Sequence, residues 1–155
     1  MSRFSIAGAA LAISALVAAG PVHAMGSSDK SPEESVSEAV GSIKAKDYKA
    51  AIESLDKALE ADSRNADALN YMGYSYRKLG QHEKAIQYYL QALSVDPKHK
   101  GALEYLGEAY LETGQLAKAE SNLGMLASVC NSDCDEYREL KKAVDAYKAR
   151  AGAKG

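Results

Sequence analysis

The sequence predicts an all-α protein made of stacked helical hairpins, and three observations support this prediction. Between residues 32 and 148, apolar residues recur three and four positions apart, which is the period of one helix face. The pattern of residues 66–99 returns on both sides at a spacing of 34 residues. Glycine and proline separate the helical stretches at points where a helix has to end. Together these observations predict about seven helices, arranged as three hairpins and one further helix.

The central unit, residues 66–99, shows the pattern most clearly. Its first half places Leu69, Met72, Gly73 and Tyr76 on one helix face. A turn around Gly80 follows, because glycine is the residue that most readily ends a helix. The second half ends at Asp96-Pro97, and its apolar positions are Ala85, Ile86, Tyr89, Ala92 and Leu93.

Residues 66–99 resemble the tetratricopeptide repeat (TPR). The eight signature positions of that family are filled here by Leu69, Met72, Gly73, Tyr76, Ala85, Tyr89, Ala92 and Pro97. Leu69 departs from the tryptophan that the family favours, and Met72 and Tyr89 are ordinary replacements. The resemblance implies a right-handed solenoid of about three helix–turn–helix repeats with a C-terminal capping helix. It also implies a protein-binding role, without naming the partner.

Residues 32–65 are interpreted as a degenerate first repeat. Ser31 is a candidate N-cap residue, and Pro32 lies where a first helical turn tolerates proline. Three residues of the second half match the central repeat, namely Ala51, Leu55 and Ala58. In the first half the signature positions hold Ser35, Glu38, Ala39 and Ser42, and the apolar residues come one place later, at Val36, Val40 and Ile43. The register of the first helix is therefore left open.

Residues 100–133 are interpreted as a third repeat with a diverged end. The residues that match the central repeat are Leu103, Leu106, Gly107, Tyr110, Gly114 and Ala119. Leu126 and Ser132 then depart from the family pattern. Residues 134–148 predict an amphipathic capping helix, which would cover the apolar face of the last hairpin with Tyr137, Leu140, Val144 and Tyr147. Residues 149–155 are expected to form a frayed tail.

The N-terminus predicts export from the cytosol. Residues 1–24 combine Arg3, an apolar run over residues 6–19 and small residues before a cleavage point after Ala24, which is typical of a signal peptide. The run is shorter than the roughly 20 residues that span a bilayer, so we expect no membrane span in the mature chain. Residues 25–31 are expected to form a flexible leader. The expected location is the periplasm of a Gram-negative bacterium.

Composition and motifs argue against catalysis and nucleic-acid binding. The formal net charge of the whole chain is −2, whereas a nucleic-acid binder has a basic face. The sequence contains no phosphate-binding glycine loop, no nucleophile motif and no histidine pair at metal-ligand spacing. His82 and His99 lie in turns between helices and are expected to be solvated. We therefore expect no enzyme, no cofactor and no metal site.

Cys130 and Cys134 are the two cysteines of the chain, and an even number in an exported protein predicts a disulfide. One interpretation is a structural staple, which stabilises by about 2 kcal/mol for so small a ring. The alternative is a redox or assembly factor that uses the pair. The pair lacks the two-residue spacing of thioredoxin-type motifs, which favours the staple.

The TPR resemblance implies that the first helix of each hairpin lines a concave groove that binds a peptide or partner protein. Ten positions are expected there, hereafter the groove residues: Asn70, Tyr71, Tyr74, Arg77, Lys78, Glu104, Tyr105, Glu108, Leu111 and Glu112. Tyrosine and arginine are the residue types enriched at interface hot spots. Three other tyrosines are expected in the core, namely Tyr76, Tyr89 and Tyr110.

Two further points concern the partners. The lysine and asparagine clamp by which TPR co-chaperones hold a C-terminal carboxylate is absent, because the corresponding positions hold Val36, Val40, Tyr71, Gly101 and Tyr105. Self-association through the groove or the weak first repeat is a further alternative, and it would produce a homo-oligomer.

Overall fold

The computed structural model describes residues 30–153, and within that range it contains seven α-helices and no strand. The helices are α1 (Pro32–Lys44), α2 (Tyr48–Ala61), α3 (Ala66–Lys78), α4 (His82–Val95), α5 (Lys100–Glu112), α6 (Leu116–Cys130) and α7 (Asp135–Gly152). This confirms the predicted all-α fold. The proposed signal peptide, residues 1–24, and most of the proposed leader, residues 25–31, lie outside the described residues. Between residues 30 and 153 no helix is both long and apolar enough to cross a bilayer.

The helices form three hairpins at a constant spacing. The first helices α1, α3 and α5 begin at positions 32, 66 and 100, and the second helices α2, α4 and α6 begin at 48, 82 and 116. Each helix packs on its neighbours along the chain, and α1, α3, α5 and α7 also contact one another in that order. The result is a stack in which the first helices and α7 lie side by side.

Side-chain caps begin several of these helices. The Ser31 hydroxyl accepts a hydrogen bond from the Glu34 backbone N–H, and the Glu34 carboxylate accepts one from the Ser31 N–H, which is a capping box. Asp47 and Asn65 cap α2 and α3 in a similar way, each through the backbone N–H three residues on. His99 caps α5, since its Nδ1 accepts from the Ala102 N–H at 3.1 Å.

The turn inside each hairpin requires a left-handed backbone at one position. Gly80 and Gly114 fill this position in the second and third hairpins, each with φ of 76°. Lys46 fills it in the first hairpin with φ of 62°. A residue with a Cβ atom is strained in that region by about 1–2 kcal/mol, so the first hairpin carries a cost that the others avoid.

The helices approach closely where the repeat has glycine. A Cβ atom built on Gly73 would lie 2.6 Å from Cε1 of the Tyr89 ring, and one built on Gly107 would lie 2.6 Å from Cδ2 of Leu140. Tyr89 and Leu140 are both fully buried. The lack of a side chain at Gly73 therefore leaves room for Tyr89 of α4, and the lack of one at Gly107 leaves room for Leu140 of α7. The three tyrosines predicted in the core, Tyr76, Tyr89 and Tyr110, are buried as expected.

The structure resolves the register of α1. Ser35 and Ala39 are buried, with exposed fractions of 2% and 0%, whereas Glu38 is exposed. The three apolar residues one place later, Val36, Val40 and Ile43, are only half-buried. The first helix thus keeps the 34-residue register at Ser35 and Ala39, where two small residues occupy core positions.

The C-terminal helix is longer than predicted. It runs to Gly152, so residues 149–152 continue the helix where a frayed tail was expected. This segment contains Ala149, Arg150 and Ala151, and alanine and arginine are strong helix formers. The helix α7 therefore extends one turn further along the stack.

Candidate functional site

The candidate site is the surface shared by the first helices and α7, because it carries the groove residues. Asn70, Arg77 and Leu111 are buried, with exposed fractions of 4%, 6% and 8%. Five groove residues are half-buried, namely Tyr71, Tyr74, Glu104, Tyr105 and Glu108, and two are exposed, Lys78 and Glu112. The structure thus brings them together on adjacent helices, but three of them are part of the packed interior.

Tyrosine rings run across the centre of this surface. The rings of Tyr74 and Tyr105, on neighbouring first helices, have centroids 5.1 Å apart, and Tyr48 lies 6.4 Å from Tyr74 on the other side. Tyr89 lies 6.2 Å from Tyr105. Such tilted ring pairs hold each other in place while part of each half-buried ring stays open to a ligand. Burial, and then the charge of Glu104, raises the pKa of Tyr105 to about 12, so its hydroxyl is a neutral donor.

Arg77 joins the two neighbouring repeats. Its guanidinium lies 5.7 Å from the Tyr74 ring centroid and 5.6 Å from that of Tyr105. It forms ion pairs with Glu108 at 2.6 Å and with Glu112 at 3.0 Å. Arg77 was predicted to face a ligand, and the structure instead uses it within the protein. A guanidinium has enough donors for two carboxylates, and its planar face packs on aromatic rings, which explains why this residue bridges α3 and α5.

Glu104 stands apart from this network. It makes no hydrogen bond and no ion pair with any residue between 30 and 153. Burial, and then the nearby carboxylates of Glu108 and Glu136, raise the pKa of Glu104 to about 7. The charge of this part of the surface therefore changes near neutral pH.

The surface deepens into a cavity of about 720 Å³ between α3, α5 and α7, hereafter the C-terminal pocket. Helix α3 contributes Arg77 and Lys78, and α5 contributes Glu108, Leu111 and Glu112. The far wall belongs to α7, and it includes Ala143, Ala146, Tyr147, Arg150 and Ala151. The volume lies within the range of about 300–1,000 Å³ that ligand pockets occupy.

The α7 wall was missed by the sequence analysis, which assigned α7 only to covering the last hairpin. A signal for it was present. Helix α7 begins 35 residues after α5, one more than the repeat spacing. Counting 35 forward from Glu108, Leu111 and Glu112 gives Ala143, Ala146 and Tyr147, which all line the pocket.

The remaining candidate residues, Cys130, Cys134 and His99, lie against other parts of the protein. The Cα atoms of Cys130 and Cys134 are 5.9 Å apart, within the usual range for a disulfide, and Cys134 has an exposed fraction of 8%. His99 was expected to be solvated, but its side chain is only 14% exposed, and its Nε2 lies 3.0 Å from the Asp67 carboxylate. A capping imidazole that also contacts α3 cannot remain in water, which is why that expectation was wrong.

Comparisons with known proteins point to one repeat family. Sequence models of the tetratricopeptide repeat match residues 42–65, 66–99 and 88–121. No curated protein sequence matches the chain. The Sgt2 TPR domain from Aspergillus fumigatus is similar over 80% of this chain and 82% of its own, with 25% identity and a TM-score of 0.70.

Two structures solved with bound partners are also similar. The TPR2B domain of yeast Sti1, in complex with pHsp70, has 19% identity and a TM-score of 0.69, covering 77% of this chain and 97% of that one. The type III secretion chaperone SycD from Yersinia enterocolitica, in complex with a peptide of the translocator YopD, has 22% identity and a TM-score of 0.66. That match covers 77% of this chain and 93% of SycD.

Proposed function

Since this chain belongs to the tetratricopeptide-repeat family, we propose that it is an interaction module that binds a peptide or partner protein in the groove. The observation that carries the proposal is the pair of half-buried rings of Tyr74 and Tyr105, which Arg77 links to the C-terminal pocket because it contacts both rings and also lines the pocket. Large aromatic side chains that are partly open contribute binding area at a small entropic cost. The complexes of the similar Sti1 domain with pHsp70 and of SycD with a YopD peptide support the same role.

The test replaces the three tyrosines of the groove residues, Tyr71→Ala/Tyr74→Ala/Tyr105→Ala, and measures capture of partners from a periplasmic extract. A matched control is Leu90→Ala/Met125→Ala, which removes exposed apolar side chains from the second helices α4 and α6, with exposed fractions of 48% and 42%. We expect the partner to be lost with the tyrosines and retained by the control, with both variants helical by circular dichroism. Equal recovery by a folded tyrosine variant would place binding elsewhere.

We also propose that the protein works in the periplasm after cleavage of residues 1–24. The apolar run and the small residues before Ala24 support this, and so does the cysteine pair, since disulfides persist in oxidising compartments. Cell fractionation followed by N-terminal sequencing tests it, with Met25 as the expected first residue. A cytosolic protein that still begins at residue 1 would overturn the proposal.

Cys130 and Cys134 are, in this proposal, a disulfide staple between α6 and α7. Cys134 is buried and Cys130 is half-buried, which favours the staple over a redox role, because thiol–disulfide exchange needs access to a sulfur atom. Thiol titration of the native protein, before and after mild reductant, separates the two. We expect no reactive thiol in either sample, and rapid reduction would favour the redox alternative. Sedimentation at several concentrations tests the remaining alternative of self-association.

A further inference from the structure

The C-terminal pocket contains two cationic side chains that are available to a ligand. Lys78 on α3 and Arg150 on α7 both line the pocket and are exposed. Neither forms an ion pair with any residue of the described range, 30–153. Lys78 contacts the Tyr74 ring, with Nζ 5.1 Å from its centroid, which leaves its hydrogen-bond donors free for a ligand.

The carboxylates of the same pocket are already paired. Glu108 and Glu112 both bind Arg77, and Glu112 also lies 3.1 Å from Nδ1 of His82. Arg77 is one cation against two carboxylates, so these three groups keep one negative charge, and Lys78 and Arg150 bring the net charge of the pocket lining to +1. Lys78 and Arg150 lie on opposite walls, because α5 lies between α3 and α7 in the stack.

Apart from Arg150, the α7 wall is apolar, and its small side chains leave room for a ligand side chain. Leu111 is buried on α5, and Ala143 and Ala146 present only methyl groups, beside the half-buried ring of Tyr147. A cavity with an apolar base and a few polar groups at its rim is typical of a site that takes an apolar side chain and fixes its orientation by charge.

We propose that the C-terminal pocket selects an acidic segment of the bound peptide, in which one apolar side chain is flanked by two aspartate or glutamate residues. The apolar side chain occupies the space over Leu111 and the alanines. One carboxylate binds Lys78 and the other binds Arg150, since a single carboxylate would leave one of the two walls unpaired. This inference rests on the proposed function, and it names the class of peptide that the groove recognises.

A random peptide library tests the inference. The peptides are displayed with constant segments on both sides, so that no free C-terminal carboxylate takes part in binding. Selection is carried out on the wild-type residues 25–155 and on Lys78→Gln/Arg150→Gln. The matched control, Lys49→Gln/Lys98→Gln, removes two positive charges from exposed lysines that do not line the pocket.

We expect wild type and control to enrich peptides with acidic residues on both sides of an apolar residue, and the pocket variant to lose that enrichment. A selected peptide, made synthetically, should bind the pocket variant at least about tenfold more weakly than wild type, since hydrogen bonds between charged groups are among the stronger ones. Its glutamine analogue should bind wild type and variant equally.

The outcomes separate the two proposals. Enriched peptides without acidic residues, or an acidic preference that survives in the pocket variant, would overturn the inference and leave the groove as a binding surface. A wild-type protein that enriches no peptide at all would count against both the inference and the proposed function.

Discussion

The substitution Gly107→Ala tests how α7 is attached to the stack. Its Cβ atom would lie 2.6 and 2.7 Å from the two Cδ atoms of Leu140 and 3.2 Å from Cγ. Carbon atoms prefer to be about 3.5–4.0 Å apart, so α7 or Leu140 has to move. Leu140 is fully buried, so any movement of its side chain disturbs its packing. Overpacking of this kind costs about 1–3 kcal/mol, and helix propensity returns up to about 1 kcal/mol.

The control Gly124→Ala separates the cost of the close contact from the gain in helix propensity. Gly124 also lies inside a helix, α6, but a Cβ atom there would meet nothing within 4 Å. Urea unfolding followed by circular dichroism gives the free energy of each variant. We expect Gly107→Ala to be less stable than Gly124→Ala by about 1–3 kcal/mol.

A second measurement, in a protein that carries Leu140→Ala, tests whether the cost of Gly107→Ala comes from its contact with Leu140. Leu140→Ala alone should cost about 2–5 kcal/mol, because it leaves a cavity under α7. In that background Gly107→Ala meets no leucine, so the added substitution should cost nothing further and the two effects should not add. If Gly107→Ala proved as stable as Gly124→Ala in the wild-type background, the close approach of α5 and α7 would be refuted.

Three further predictions concern charge, backbone strain and the cysteines. The folded protein holds the Glu104 proton up to about pH 7, whereas the unfolded chain releases it near the ordinary pKa of 4.5. The free energy of unfolding therefore falls as the pH rises between these two values. The stability of Glu104→Gln relative to wild type should therefore rise by about 1–2 kcal/mol between about pH 4 and 8, a range that allows for the water that still reaches the carboxyl. A stability difference that stays constant with pH in urea unfolding would contradict this. Lys46→Gly should stabilise by about 0.5–1 kcal/mol because it relieves a left-handed residue, whereas Lys57→Gly, inside α2, should destabilise by about 1 kcal/mol. If thermal unfolding showed stability changes of the same sign for both variants, the backbone at Lys46 would not be strained. Cys130→Ser/Cys134→Ser should lower the free energy of unfolding by about 2 kcal/mol, and no change would mean that the cysteines are not joined.

The sequence was sufficient for the number of hairpins and their spacing. Glycine at positions 80 and 114 marked the turns, and the repeat pattern identified Gly73 and Gly107, which the structure places at close helix contacts. These features are local, because each depends on one residue type at one position of the repeat. They are therefore visible in the amino-acid pattern alone.

The sequence left the outcome open, or predicted it wrongly, where a neighbouring helix decides it. A serine and an alanine occupy core positions in α1, at Ser35 and Ala39, because the register imposed by α2 and α3 prevails over the apolar residues next to them. Arg77 is buried because two carboxylates on α5 and two tyrosine rings surround it. The pattern of a single helix does not contain this information.

The order in which the helices touch also has a consequence for how the chain acquires its structure. Within residues 30–153, each helix contacts only helices one or two places away along the chain. Such contacts close short loops, so little chain entropy is lost before each contact forms, and folding should be fast. The central hairpin can form first and serve as the template on which α1–α2 and α5–α7 assemble in either direction. The ends of the stack, each held from one side only, should then be the first parts to open and the last to close.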